Sequence, residues 1–73
     1  MDPTGANVRR LREARGLSQN ALAKQAGITQ GHLRDIETGR IRNPGVAVVR
    51  ALAKALEVDP GALLREAQAP EER

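Results

Sequence analysis

The chain has 73 residues, a net charge of +3, one histidine, no cysteine and no aromatic residue. This length allows one domain with a small core, and the missing cysteines exclude disulfides, thiolate metal sites and thiol nucleophiles. The missing aromatic rings exclude the kind of single-strand nucleic-acid interface that stacks bases on them.

The predicted elements are short helices separated by Gly, Pro, Ser, Thr and Asn, and no alternating β-branched run predicts a strand. The first three helices cover about 6–15, 19–25 and 30–38, with Ser18 and Thr29 as N-caps of the second and third. Gly16, Gly27 and Gly39 end them. The fourth has Pro44 in its first turn and continues to Leu56, and the fifth begins at Asp59-Pro60. We therefore expect an all-α, five-helix bundle over 1–68, followed by a polar tail over 69–73.

The predicted core rests on branched aliphatic side chains, because alanine supplies twelve of the 29 apolar residues and buries little surface. These side chains recur at helical spacing. They are Val8, Leu11, Leu17, Leu22, Ile28, Leu33, Ile36, Val49, Leu52, Leu56 and Leu63.

The charge is distributed unevenly. Residues 1–56 carry ten basic and four acidic side chains, a net charge of +6, whereas residues 57–73 carry two basic and five acidic ones, a net charge of −3. Ten of the twelve cations are arginine, which makes planar, two-pronged contacts with phosphate or guanine. The basic segment indicates a polyanionic partner, although an ordinary solvated surface is the alternative.

The segment from Gln19 to Ile36 predicts a helix-turn-helix. Leu22 and Ala26 lie one turn apart on one face, Gly27 allows a tight turn with positive φ, and Leu33 faces inward from the next helix. This arrangement leaves the start and outer face of the third helix free, and such a helix fits the major groove of duplex DNA. The residues on that free face are Gln30, Gly31, Arg34 and Asp35.

Over about Val8 to Leu64 the chain resembles the phage-repressor and Cro family of DNA-binding domains, often called the XRE type. The fragments that carry the resemblance stand in the family's order and spacing. They are Arg-Gly-Leu-Ser-Gln at 15–19, Leu-Ala at 22–23, Gly-Ile-Thr-Gln at 27–30, Ile-Glu-Thr-Gly-Arg at 36–40, Asn-Pro at 43–44 and Leu-Ala-Lys-Ala-Leu at 52–56. The family fold is a five-helix, lambda-repressor-like bundle.

The resemblance implies a role for each matching position. Base contacts are expected from Gln30, Gly31, Arg34 and Asp35, with Gln30 as the main reader. Phosphate contacts are expected from Gln19, Thr29, His32, Arg40, Arg42 and Asn43. Gln19 is also expected to brace the third helix, and Arg12 with Glu37 to form a buried salt bridge between the first and third helices.

Several of these positions have alternatives. Gly31 departs from the family, which usually carries Gln or Ser there, so that readout can depend more on Arg34, His32 or DNA shape. Arg34 can contact guanine or a phosphate, and Asp35 can accept from cytosine or repel phosphates. His32 has no metal partners and is either a phosphate contact or an exposed side chain. Arg12 and Glu37 can also be a weak surface pair.

The function expected is a sequence-specific regulator that binds double-stranded DNA, acting as a repressor through a homodimer on a palindromic operator. The dimer contact is expected at Val58, Ala62, Leu63 and Leu64, which can instead close the core. An antitoxin or adaptor that binds another protein is the second possibility, and the residue types present argue against an enzyme. No metal, cofactor, small-molecule ligand or membrane span is expected. We expect a bacterial or phage-encoded protein that is cytoplasmic and associated with the nucleoid.

Overall fold

A computed structural model describes residues 3–65, which form five α-helices and no strand. In chain order they are α1 (Thr4–Ala14), α2 (Gln19–Ala26), α3 (Gln30–Glu37), α4 (Val46–Leu56) and α5 (Pro60–Leu64). The predicted all-α, five-helix architecture is confirmed over this range. None of these helices is long and apolar enough to cross a bilayer. The predicted tail over 69–73 and the predicted domain boundary lie outside the described residues.

Local capping signals determine where α2, α3 and α5 begin. The Ser18 hydroxyl accepts from the backbone N–H of Ala21 at 3.0 Å, and Thr29 Oγ1 accepts from that of His32 at 3.0 Å. Asp59 Oδ2 accepts from the N–H of Gly61 at 2.8 Å, with proline as the first helical residue. Each bond satisfies a backbone donor that the helix itself cannot pair, so these three predicted starts are confirmed.

Two helix starts differ from the predicted ones. The first helix begins at Thr4 rather than Ala6, because its first turn is already closed by the hydrogen bond from Asn7 N–H to the Pro3 carbonyl at 2.9 Å. The prediction that Pro44 lies in the first turn of α4 is wrong. Gly45 is the N-cap residue with φ +94°, a conformation that favours glycine, and the helix begins only at Val46.

The core lies where α2, α4 and α5 meet α1 and α3. Eight predicted core residues are buried, namely Val8, Leu22, Leu33, Ile36, Val49, Leu52, Leu56 and Leu63. The other three, Leu11, Leu17 and Ile28, are half-buried against this cluster. Ala23 and Ala53 are also buried at 1% exposure, on the two helices that pack most closely, because a methyl group lets two helix backbones approach.

A buried amide ties the end of α5 to α1. Asn7 is fully buried, and its Nδ2 donates to the Leu63 carbonyl at 2.9 Å and the Arg65 carbonyl at 2.6 Å. The Leu63 side chain is itself 0% exposed. Leu63 is therefore a core residue, and its predicted role in a dimer interface is wrong, because a side chain enclosed by its own chain has no surface to offer a partner.

Candidate nucleic-acid interface

The turn between α2 and α3 is fixed by its backbone. Gly27 takes φ +77° as the C-cap of α2, and its N–H donates to the Lys24 carbonyl at 3.2 Å. The N–H of Ile28 donates to the Ala23 carbonyl at 3.0 Å, and its side chain packs against the core. These bonds satisfy the last carbonyls of α2 and fix the direction in which α3 leaves the turn.

The third helix has one buried face and one free face. Leu33 and Ile36 point into the core with exposures of 0% and 1%. Gln30 and Arg34 are exposed, and neither side chain forms a hydrogen bond or ion pair within residues 3–65. The other two predicted base-contacting residues, Gly31 and Asp35, are half-buried, and so is His32, a predicted phosphate contact. The structure thus leaves an amide and a guanidinium available near the start of α3.

A buried ion pair holds the far end of α3. Arg12 Nε and Glu37 Oε2 are 2.7 Å apart, and Arg12 Nη2 donates to Glu37 Oε1 at 3.1 Å. Arg12 Nη1 also donates to the Leu17 carbonyl at 2.7 Å. The hydrogen bond to Glu37 raises the pKa of the Arg12 guanidinium above its ordinary value. Since the Glu37 side chain is only 2% exposed, this is a buried tie between α1 and α3, not a surface pair.

Gln19 belongs to the same network. Its Nε2 donates to Glu37 Oε1 at 3.0 Å, so one carboxylate receives donors from both α1 and α2. The sequence-based expectation that Gln19 braces the third helix agrees with this bond. Its expected phosphate contact stays a prediction.

The segment after α3 presents unpaired cations. It turns at Gly39, and the N–H of Ile41 donates to the Asp35 carbonyl at 3.0 Å, which folds the segment back on the helix end. Arg40 and Arg42 are exposed, and neither has an ion-pair partner within the described part of the chain. Asn43 is also exposed.

Two of the other cations are neutralised locally. Arg9 pairs with Glu13 at 3.2 Å, and Arg15 pairs with Glu57 at 3.6 Å. Arg34, Arg40 and Arg42 lie outside these pairs, so their charge is directed at solvent. Other unpaired cations of residues 3–65 include Arg10, Lys24, Arg50 and Lys54. Apart from Gln19 on α2, the predicted base-contacting and phosphate-contacting residues lie in two segments, 29–35 and 40–43.

Sequence reasoning missed Gly5, which places α1 on α3. A Cβ atom on Gly5 would collide with the Ile36 carbonyl oxygen and lie 3.3 Å from the Glu37 Cα. Glycine is therefore required where the two helix backbones touch. No local signal reveals this, because the contacting backbone is remote in sequence.

Comparison with known proteins agrees with this geometry. A family model described as a helix-turn-helix domain matches residues 5–67. The chain belongs to the helix-turn-helix domain family. This match confirms the family resemblance that the sequence motifs indicated.

Relatives of this helix-turn-helix domain include an uncharacterized HTH-type transcriptional regulator, y4dJ, from Sinorhizobium fredii. It is 43% identical over 54 residues, which cover 74% of this chain and 69% of the relative. The HTH-type transcriptional repressor RghR of Bacillus subtilis is 35% identical over 67 residues, which cover 92% of this chain and 50% of RghR. The chain spans only about half the length of relatives such as RghR.

A solved structure shares the fold of this helix-turn-helix domain. The restriction-modification controller protein C.AhdI from Aeromonas hydrophila superposes with a TM-score of 0.80 at 35% identity. The alignment covers 85% of this chain and 92% of that one.

Proposed function

We propose that this chain is a sequence-specific transcriptional regulator that binds double-stranded DNA through α3. The observation that carries the proposal is the free face of α3, where Gln30 and Arg34 are exposed and unpartnered beside the unpaired Arg40 and Arg42. A helix held this way fits the major groove, which is about 12 Å wide. The regulator and repressor names of the relatives support the proposal, and they agree with the prediction that the chain is not an enzyme.

The proposed contacts divide into two classes. Gln30 and Arg34 read base edges, with Asp35 and the backbone at Gly31 beside them, because an amide pairs with adenine and a guanidinium with guanine. Contacts to the sugar-phosphate backbone come from Gln19, Thr29, His32, Arg40, Arg42 and Asn43. These set the position of the domain on the duplex and carry no sequence information themselves.

The proposed assembly is a homodimer on a palindromic operator, with the two α3 helices in successive major grooves about 34 Å apart. With Leu63 excluded, the proposed contact consists of Val58, Ala62 and Leu64. Leu64 supports this assignment because it is 55% exposed and lies in the same segment as the half-buried Val58 and Ala62. A repressor of this type acts in the cytoplasm of a bacterium, by covering promoter DNA.

Selection of bound duplexes from a random pool tests the DNA-binding proposal. The wild-type chain should enrich one motif with two inverted half-sites whose centres are about 10–11 base pairs apart. A matched control is the Gln30→Ala, Arg34→Ala double variant, which changes only exposed side chains and should enrich no such motif. If the duplexes bound by the wild-type chain share no enriched motif, sequence-specific binding is contradicted.

Sedimentation at micromolar concentration tests the dimer. We expect the wild-type chain to sediment as a dimer that Leu64→Ser shifts to monomer, while Val46→Ser, a second exposed apolar residue at 70% exposure, leaves it dimeric. A monomeric wild type that also binds half-sites without cooperativity contradicts the dimer.

A further inference from the structure

Gly31 lies in the first turn of α3, at the centre of the proposed reading surface. Glycine weakens a helix interior by about 1 kcal/mol relative to alanine. Its φ is not in the left-handed region. Among residues 3–65, apart from its chain neighbours and the backbone of its own helix, the one heavy atom within 4 Å of an added Cβ is Arg34 Nη2, at 4.0 Å. Neither backbone conformation nor packing of the fold therefore requires glycine here. Some other property of the position must account for it.

The position of the Arg34 guanidinium indicates why residue 31 is a glycine. Side chains on a helix lean toward its N-terminus, so residue i+3 can lie over residue i. The Arg34 guanidinium does this over Gly31, which is half-buried although it has no side chain. A side chain longer than one methyl group at position 31 would occupy the space that the guanidinium now fills.

The guanidinium lies there without being neutralised. Arg34 forms no ion pair with any acidic group of residues 3–65, including its neighbours Asp35 and Glu37, and Glu37 is already bonded to Arg12 and Gln19. Gln30, immediately before Gly31, is likewise unpartnered. Gln30 and Arg34 are four residues apart and therefore share one face of α3, so an unpartnered amide and an unpartnered guanidinium are both available on that face.

We infer that Gly31 is a specificity-determining position, because its missing side chain lets Arg34 fold over the first turn of α3 and read a guanine next to the base pair read by Gln30. The inference rests on the proposed function and specifies which bases the side chains of α3 contact. The guanidinium offers two parallel N–H groups to guanine O6 and N7, and the Gln30 amide pairs with adenine N6 and N7. Arg34 thus replaces the base contact that a side chain at position 31 would supply.

Variants at the two positions test this. We would measure the affinity ratio between the selected operator and the same operator with the guanine replaced by adenine, for wild type, Arg34→Ala, Gly31→Leu and the Gly31→Leu, Arg34→Ala double variant. Arg34→Ala and Gly31→Leu should each lose about 5- to 150-fold of the wild-type ratio, and the double variant should lose no more. Gly31→Ala is the matched control, since its methyl group makes only ordinary contact, and it should keep the ratio.

The preference at the Gln30 base pair provides an internal reference, which should survive in every variant. Gly31→Met is measured alongside, because an unbranched side chain fills the first turn without a bulky branch against the DNA. A guanine preference kept by Gly31→Leu or Gly31→Met overturns the inference, as does an Arg34→Ala variant that weakens all duplexes equally. A wild-type chain that selects no motif instead contradicts the proposed function, and the inference fails with it.

Discussion

The two faces of α3 differ in how their side chains are held. On the inner face Leu33 and Ile36 are buried, and Glu37 receives donors from α1 and α2. On the outer face Gln30 and Arg34 have no partner within residues 3–65. One helix of eight residues thus carries the groups that stabilise the fold and those available to a ligand, separated by its two sides. Changes on the inner face should alter the free energy of unfolding, and changes on the outer face should alter binding.

The largest loss of unfolding free energy is expected from Glu37→Ala. It leaves the Arg12 guanidinium, whose side chain is 11% exposed, with only the exposed Glu13 carboxylate at 3.9 Å, which should cost about 3–5 kcal/mol of unfolding free energy. A domain of this size has about 4–11 kcal/mol in total, so thermal denaturation should show a largely unfolded chain. Because Arg12 has a raised pKa, this contribution is fully present below the pKa of an unfolded arginine and is lost only as the pH rises through the pKa of the folded state, so titration of Arg12 should not make stability vary with pH near neutrality.

Arg9→Ala is the matched control for this prediction, because Arg9 pairs with Glu13 and not with Glu37. The Arg9–Glu13 pair lies on the surface, with the two side chains 64% and 56% exposed, so its removal should change the unfolding free energy by no more than about 0.5 kcal/mol. Equal losses in the two variants would mean that burial of the Arg12–Glu37 pair does not determine its importance.

The next effect is expected from Leu33→Ala on the inner face. Removing this fully buried side chain should cost roughly 2–5 kcal/mol, because the transfer free energy is lost and a cavity remains. Arg34→Ala, the next residue along the same helix, should change stability by less than about 0.5 kcal/mol. Urea titration followed by circular dichroism measures both. A Leu33→Ala midpoint equal to that of Arg34→Ala would contradict the distinction between the faces.

On the outer face, Gln30→Ala should leave stability unchanged and remove discrimination at one base pair, worth about 1–3 kcal/mol. Competition between the selected operator and single-base variants measures it. If the variant loses affinity for random and specific duplexes alike, Gln30 is not a base reader.

Arg42→Ala is expected to change the overall affinity for DNA and not the discrimination between bases. It should weaken binding to every duplex by a similar factor and reduce the slope of log affinity against log salt by about one unit. Lys54→Ala is the matched control, because this exposed cation is eight residues into α4 from Val46, about 12 Å further from the loop. An unchanged slope for Arg42→Ala, or an equal change for Lys54→Ala, would show that the segment after α3 does not contact phosphate.

The features that the sequence predicted are those with local causes. Ser18, Thr29 and Asp59 begin helices through bonds within two or three residues, and Gly27 turns the chain through its own φ. The features it missed depend on distant partners. Asn7 bonds to the carbonyl of Leu63, and Gly5 touches the backbone at Ile36, so neither role has a signal in the neighbouring sequence.

In the candidate site, too, features with local causes could be predicted from the sequence and features that depend on other parts of the structure could not. The free face of α3 could be predicted from helical periodicity, because Leu33 and Ile36 fix which side is buried. The position of the Arg34 guanidinium over Gly31 could not, since it depends on a rotamer and on what lies beside it. The sequence predicts Leu63 both in the core and in an interface, because apolarity alone does not distinguish a core residue from a surface contact.

The smallest effect is expected from Glu57→Gly, which should stabilise the domain. Glu57 ends α4 with φ +59°, the single non-glycine residue of the described chain in the left-handed region, where a Cβ atom is unfavourable. Glycine there should raise the unfolding free energy by roughly 0.5–1 kcal/mol, equivalent to about 2–8 °C in Tm. The Arg15–Glu57 pair that is lost is exposed and contributes little. Glu57→Ala removes the same charge but keeps Cβ, so it should give no gain; an equal rise in its Tm would assign the effect to charge and not to the backbone.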